Sequence, residues 1–308
     1  MYDLVIIGAG PAGVAAGVYA ARKKLKTLLI AEEFGGQSAV SETIYNWIGT
    51  PEISGNGLAE AFKKHLEEYA DNETLTLLSR TRVEKLERID DFHFKITDNK
   101  GKTHETKTVL ISSGSSRKEL KVPGAKEWEN RGLTYCASCD GPLFTDMDVV
   151  VVGGGNAGFE SVAQLAAYCK SVTLLHRNSS YKAEPLTVEK VLKRDNVRGI
   201  LNADILEVYG ENFITGVRYK NKETNTEELL PVQGVFVEIG QIPNSQFVKG
   251  VIDTNEHNQI IADPYTQKTS LLGVWAAGDV TDVRYHQNNI SAGDAVKAVE
   301  DIYKTLYA

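Results

Sequence analysis

The sequence is short of cysteine, of positive charge and of long apolar runs, and each shortage closes off a class of function. Thirty-four lysines and arginines stand against 41 aspartates and glutamates, a net charge of −7, so no broadly basic face offers itself to a nucleic-acid backbone or an anionic membrane. The longest apolar stretches, such as Leu4 to Ile7 and Val149 to Val152, fall far short of the roughly 20 residues that span a bilayer. No basic segment, apolar core and small-residue cleavage site precede the first strand pattern, which starts within three residues of Met1; the expected location is cytoplasmic. The three cysteines, Cys136, Cys139 and Cys169, are too few and of the wrong parity for a disulfide scaffold, so in a reducing compartment any disulfide among them is a working one. Six histidines are scattered without metal-like spacing, and no metal is expected.

What is present organises itself by repetition. The 308 residues, 42% of them apolar, suffice for two domains with sizeable cores. The stretch from Leu4, LVIIGAGPAGVAAGVYAARKKLKTLLIAEE, resembles that from Val149, VVVVGGGNAGFESVAQLAAYCKSVTLLHRN, in pattern and phase. Each reads as a four-residue apolar strand, a glycine-rich turn, a helix and a second strand, Thr27 to Ile30 or Val172 to Leu175. The expected class is α/β, with two Rossmann-like dinucleotide-binding domains, each carrying a β-rich insert. An amphipathic helix follows from Leu58, Phe62, Leu66 and Tyr69. Then comes an antiparallel insert capping the first sheet between about Leu75 and Ser112, with a hairpin at Asp98 to Gly101. Arg117 to Gly124 reads as a linker, and Asp204 to Ile239 as the second insert. The tail is too short for a domain of its own. It is expected to return to the first sheet, with Val274 to Ala277 as a strand and Ile290 to Tyr307 as a closing helix. The domains are then 1–116 with 245–308, and an inserted 117–244.

The chemistry sits in three places. Gly8, Gly10, Pro11, Ala12 and Gly13 lie between strand and helix, where glycines permit a tight turn, close approach of a pyrophosphate and close helix packing. Glu32, nineteen residues beyond Gly13, is placed to accept hydrogen bonds from ribose hydroxyls, with Glu33 as its alternative; a bare glycine turn is the competing reading. Gly153, Gly155, Asn156, Ala157 and Gly158 repeat the arrangement, so two dinucleotides are implied. At the second acid position stand His176 and Arg177, followed by Lys182, which favours a 2′-phosphate and hence NADPH over NADH, unless these are a solvated basic loop. Cys136 and Cys139, two residues apart, suit thiol-disulfide exchange. Structural thiols and a zinc site are the alternatives, and zinc lacks two further ligands. Asp140 can work as a general acid and base beside them, or merely begin the turn into Gly141 and Pro142. Cys169 falls on the apolar stripe of the second helix and reads as a buried hydrophobe.

Together GAGPAG (8–13), FGGQ (34–37), CASCDGPLF (136–144), GGGNAG (153–158) and AAGDV (276–280) resemble the low-molecular-weight thioredoxin reductases along nearly the whole chain. Residues 135–144 and 34–37 are also similar to the reductase part of the flavoprotein subunit of alkyl hydroperoxide reductase, which carries an additional N-terminal dithiol domain. The resemblance implies a homodimer that binds FAD in the first domain, through its glycine turn and Glu32, with Gly278 and Asp279 near the ribitol and pyrophosphate and Gly36, Gln37, Asn46 and Gln287 lining the flavin. It implies that electrons pass from NADPH or NADH through FAD to a disulfide between Cys136 and Cys139. Cys139 then faces the flavin, Cys136 attacks the substrate and Asp140 manages protons. It further implies two domain orientations, with hinges near Arg117 and Gly240. With a single CxxC in a chain that starts at the flavin strand, the expected partner is a separate thioredoxin or glutaredoxin-like protein. The alternatives are a reductase feeding a peroxiredoxin through a separate dithiol carrier, an oxygen-consuming oxidase, and a redox-sensing flavoprotein with little turnover. Two departures stand out. The family's HRR and later arginine appear as His176, Arg177, Asn178 and Lys182, which weakens the fork for a 2′-phosphate, and its ATG appears as Ser112, Ser113 and Gly114.

Overall fold

The computed structural model describes every residue except Glu42, Asn72 and Ala308. The chain divides into two compact units, residues 1–116 with 242–308, and residues 117–241. The second crossing comes three residues earlier than the sequence pattern suggests.

Unit 1 opens with β1 (Tyr2–Ala9), α1 (Pro11–Arg22) and β2 (Thr27–Phe34). β1 outgrows its apolar run because it is paired in parallel on both sides, and Leu4, Val5 and Ile6 are fully buried. Strand alternation then sorts the core: Leu4 and Ile6 face the helices, while Val5 and Ile7 face the opposite cluster, as period-two geometry requires. α2 (Gly55–Glu67) is capped by Ser54, whose hydroxyl accepts from the Gly57 amide, and buries Leu58, Phe62 and Leu66. It ends before Tyr69, which packs partly buried on the same cluster.

The insert of unit 1 departs from expectation. β3 (Leu75–Leu78) is a parallel strand beside β2. β4 (Val83–Asp90), β5 (His93–Asp98) and β6 (Thr103–Ile111) form the antiparallel part, but β6 begins antiparallel to β5 and ends parallel to β1. The insert therefore continues the sheet, in the order β3-β2-β1-β6-β5-β4, rather than capping it. Its hairpin turn is held by the Asp98 carboxylate, which accepts from the amides of Lys100 and Lys102 and pairs with His104 at 3.1 Å. β7 (Ser115–Arg117) closes the segment.

In unit 2 the expected linker is packed rather than free. Leu120 and Val122 join a core cluster, and the Pro123 carbonyl accepts from Val208 at 3.0 Å. Then follow β8 (Leu133–Thr134), α3 (Ala137–Asp140), β9 (Asp148–Val152), α4 (Asn156–Leu165), β10 (Ser171–Leu175), α5 (Pro185–Leu192) and β11 (Val197–Ile200). β12 (Ala203–Gly210), β13 (Ile214–Asn221) and β14 (Thr226–Pro231) make an antiparallel sheet, and β15 (Gly234–Val237) returns to the parallel one. The second insert thus ends before Gly234. The parallel sheet runs β11-β10-β9-β15-β8, which puts the ends of β8, β9, β10 and β15 along one carboxyl edge, where doubly wound folds hold their ligands.

The chain re-enters unit 1 through β16 (Gln241–Pro243). β17 (Val274–Ala276) pairs in parallel with β6, and α6 (Asn288–Tyr307) buries Ala295, Ala298, Val299 and Ile302. No helix among the described residues is long and apolar enough to cross a membrane.

Candidate active site

The first glycine turn is a slot walled by backbone. A Cβ on Gly13 would lie 1.8 Å from the Gly8 carbonyl oxygen, and one on Gly8, whose φ is +108°, would lie 2.3 Å from that of Ser112. Only glycine lets the start of α1 sit this close to the strand end. Pro11 stands in the first turn of α1 after the extended Gly10, so the unpaired amides of that turn face the slot. A Cβ on Gly36 would stand 3.1 Å from Gly10 Cα, and one on Gly278 3.4 Å from the Ala12 Cβ. Residues 8–13, 34–37 and 276–280 therefore meet at one helix N-terminus. Asn46 Nδ2 donates to Gln287 Oε1 at 3.3 Å, and Asp279 Oδ1 accepts from Ser291 Oγ at 3.2 Å. Gln37 is exposed in a single helical turn after Gly36, and Glu32 and Glu33 are exposed near the end of β2. A narrow anion-receiving slot, a ring of amides and a carboxylate at the ribose position fit the pyrophosphate and sugar of a flavin dinucleotide.

The second turn repeats this geometry. A Cβ on Gly158 would lie 1.8 Å from the Gly153 carbonyl oxygen, one on Gly153 would lie 2.1 Å from that of Glu238, and around Gly155 there is open space. Asn156 Oδ1 accepts from the Glu184 amide at 3.0 Å and ties the helix start to the next loop; Ala157 follows in the first turn of α4. Arg177 and Lys182 are exposed, but His176 is buried at 7%. Its Nδ1 accepts from the Gly154 amide at 3.1 Å, which makes it the neutral tautomer. Burial, reinforced by Lys182 and Arg177, pushes its pKa down. It shapes the turn and brings no charge to a ligand.

Cys136 and Cys139 form a disulfide. Cys136 follows β8 as the N-cap of α3, and Thr134 ties the elements together: its hydroxyl donates to Asp140 Oδ2 and accepts from the Cys136 amide at 3.3 Å. The Cys139 amide donates to Cys136 Sγ at 3.2 Å. Once the bond is open, this donor favours a thiolate on Cys136. Cys169 lies beyond the end of α4, buried, its thiol pushed up to about 11 by that burial. Alkylation of the reduced native protein at about pH 8 is therefore expected to label Cys136 and Cys139 and to spare Cys169 until denaturant is added, as peptide mapping will show.

Glu238 is the functional candidate that sequence reasoning misses. It follows β15, its carboxyl accepts from Ser161 Oγ at 2.6 Å, and burial pushes its pKa up to about 7. Among the described residues no group of histidine, cysteine and acidic side chains could hold a metal ion.

Two dinucleotide slots and a disulfide on the sheet edge of the second define the class: an oxidoreductase that exchanges electrons between a nucleotide cofactor and a dithiol. Comparison with known proteins agrees. Residues 2–298 match the family model described as pyridine nucleotide-disulphide oxidoreductase, and the chain belongs to that family, whose members use FAD and NAD(P)H. Its fold is that of the low-molecular-weight thioredoxin reductases. Thioredoxin reductase from Streptococcus pyogenes MGAS5005 superposes with a TM-score of 0.90 at 32% identity, covering 99% of this chain and 98% of that one. The alkyl hydroperoxide reductase flavoprotein of Staphylococcus aureus (strain MRSA252) is 38% identical over 297 residues, and NADH dehydrogenase of Bacillus subtilis (strain 168) 36% identical over 297. Each alignment covers 96% of this chain but 57% of the relative, so the chain spans little more than half the length of those curated relatives.

Proposed function

We propose that this chain takes electrons from NADH through FAD to the Cys136–Cys139 disulfide and on to the disulfide of a thioredoxin-like protein. The observation that carries the reading is the placement of that disulfide, with Asp140 bonded to Thr134, on the sheet edge that also bears the second glycine turn. Gly8, Gly10, Gly13, Glu32, Gly36 and Asp279 would hold the FAD, and Gly153, Gly155 and Gly158 the pyridine nucleotide. When bound, the flavin supplies the two electrons, received as hydride, that open the disulfide. The protein's own part follows. The Cys136 thiolate attacks the partner's disulfide and forms a mixed disulfide. Cys139 then attacks Cys136, restoring the internal bond and releasing the partner as a dithiol. Asp140 gives protons to leaving thiolates and takes them from attacking thiols.

The choice of NADH over NADPH turns on His176. Buried, neutral and bonded to Gly154, it withdraws from the charge that the sequence pattern offers to a 2′-phosphate. Asn178 replaces an arginine fork, and Arg177 with Lys182 is left alone to meet the phosphate. The Bacillus relative named NADH dehydrogenase supports the same direction. A second reading, in which the dithiol partner is a glutaredoxin-like carrier serving a peroxide-reducing enzyme, draws support from the alkyl hydroperoxide reductase relative.

Anaerobic titration of the yellow protein tests the reading. NADH is expected to bleach the flavin with about tenfold higher affinity than NADPH, and oxidised thioredoxin to restore the colour. Bleaching by neither nucleotide, or bleached protein that thioredoxin cannot reoxidise, would overturn it.

A further inference from the structure

Glu238 takes no part in the chemistry above, yet unit 2 builds a place for it. Its amide donates to the Val152 carbonyl at 2.8 Å, fastening it to the end of β9. Its own carbonyl lies against Gly153, so the glycine turn runs directly past it. Its carboxyl is held at Oε1 by Ser161 of α4, itself buried.

Strand order says which part of a ligand this place receives. The glycine turn follows β9, and the ribose-reading position, Arg177, follows β10 on one side. A dinucleotide whose pyrophosphate rests on the turn and whose adenosine lies over β10 must extend its other half over β15, on the other side of β9. Unit 1 repeats the pattern with β2-β1-β6, where Ser112 follows β6 and its carbonyl abuts Gly8 as that of Glu238 abuts Gly153. The second unit differs in putting a long carboxyl at this point.

We propose that Glu238, in its protonated form, binds the carboxamide of the nicotinamide half: its O–H donates to the amide oxygen and its Oε1 accepts from the amide nitrogen while Ser161 keeps the group oriented. The inference rests on unit 2 being the pyridine-nucleotide domain. A neutral acid matches a primary carboxamide with one donor and one acceptor; an ionised one offers acceptors alone. The surroundings favour the neutral form. Burial holds the proton on the carboxyl up to about pH 7, and Glu160 of α4 adds a like charge against ionisation, opposed by the Ser161 bond. From β9 and its turn the residue faces Val152 and Gly153, which do not titrate. From β8 it faces the Thr134 to Cys136 stretch, where Thr134 engages Asp140 of α3 and Cys136 is in its disulfide.

The test uses the FAD-loaded protein, calorimetry and two probes. Tetrahydro-NADH keeps the carboxamide and an uncharged ring but has no hydride to give; ADP-ribose lacks the nicotinamide. Glu238→Ala is expected to weaken tetrahydro-NADH about tenfold at about pH 6 and to leave ADP-ribose unchanged. Glu238→Gln, which keeps a donor and an acceptor, is expected to bind tetrahydro-NADH within about threefold of the parent and to lose the parent's decline between about pH 6 and pH 8.5. Equal loss of both probes in Glu238→Ala, or a pH profile of Glu238→Gln matching the parent, overturns the proposal while the domain reading stands. Failure of the parent to bind ADP-ribose overturns both.

Discussion

Cys136→Ser is expected to lower thioredoxin-like disulfide reduction at least about a thousandfold in kcat/KM while its flavin still bleaches with nucleotide. The split follows from where the residue stands. The glycine turns that would hold both nucleotides are built from backbone and do not involve sulfur, so the serine variant keeps its electron input. It loses the nucleophile for the partner's disulfide, and no other thiol can take over: Cys169 is buried and stays protonated at any ordinary pH. Cys139→Ser is expected to trap a mixed disulfide through Cys136, visible on a non-reducing gel, because the resolving thiol is gone. A serine variant that turned over a disulfide substrate normally would remove the mechanism; one that consumed oxygen at full rate would point to an oxidase.

The second large effect comes from a matched pair of glycines. Gly13→Ala and Gly158→Ala each place a methyl 1.8 Å from a carbonyl oxygen, that of Gly8 or of Gly153. Backbone must move in both, and the first turn of α1 or α4 swings away from the slot. Gly13→Ala is expected to purify with at least about tenfold less flavin per protein, read from the absorbance ratio. Gly158→Ala is expected to stay yellow and fail to bleach with NADH. The opposite pattern, a colourless Gly158→Ala or a fully loaded Gly13→Ala, would exchange the cofactors of the two units.

The repeat was legible because each unit announces itself within thirty contiguous residues by an apolar strand, three spaced glycines and a second strand. The return of the tail was legible too, since Val274 to Ala276 is apolar and the last helix is amphipathic. What escaped depends on partners remote in sequence. Leu75 to Leu78 reads as part of an insert until β2 is seen beside it. His176 reads as one member of a basic cluster, and only the Gly154 amide turns it inward and neutral. Glu238 ends an ordinary strand pattern and becomes a held, protonated acid through Ser161, 77 residues away. The Arg117 to Gly124 segment carries the proline, glycine and charge of a linker, yet Pro123 and Gly124 are pinned against Val208.

The disulfide links residues three apart in sequence, and a cross-link that closes so short a loop removes little freedom from an unfolded chain. The energetic cost of reduction is therefore decoupled from the integrity of the fold: melting temperature should hardly register the redox state. A catalyst that opens and closes one of its own covalent bonds in every cycle needs that independence, because a bond that also propped up the domain would expose it to unfolding and proteolysis each time it was spent.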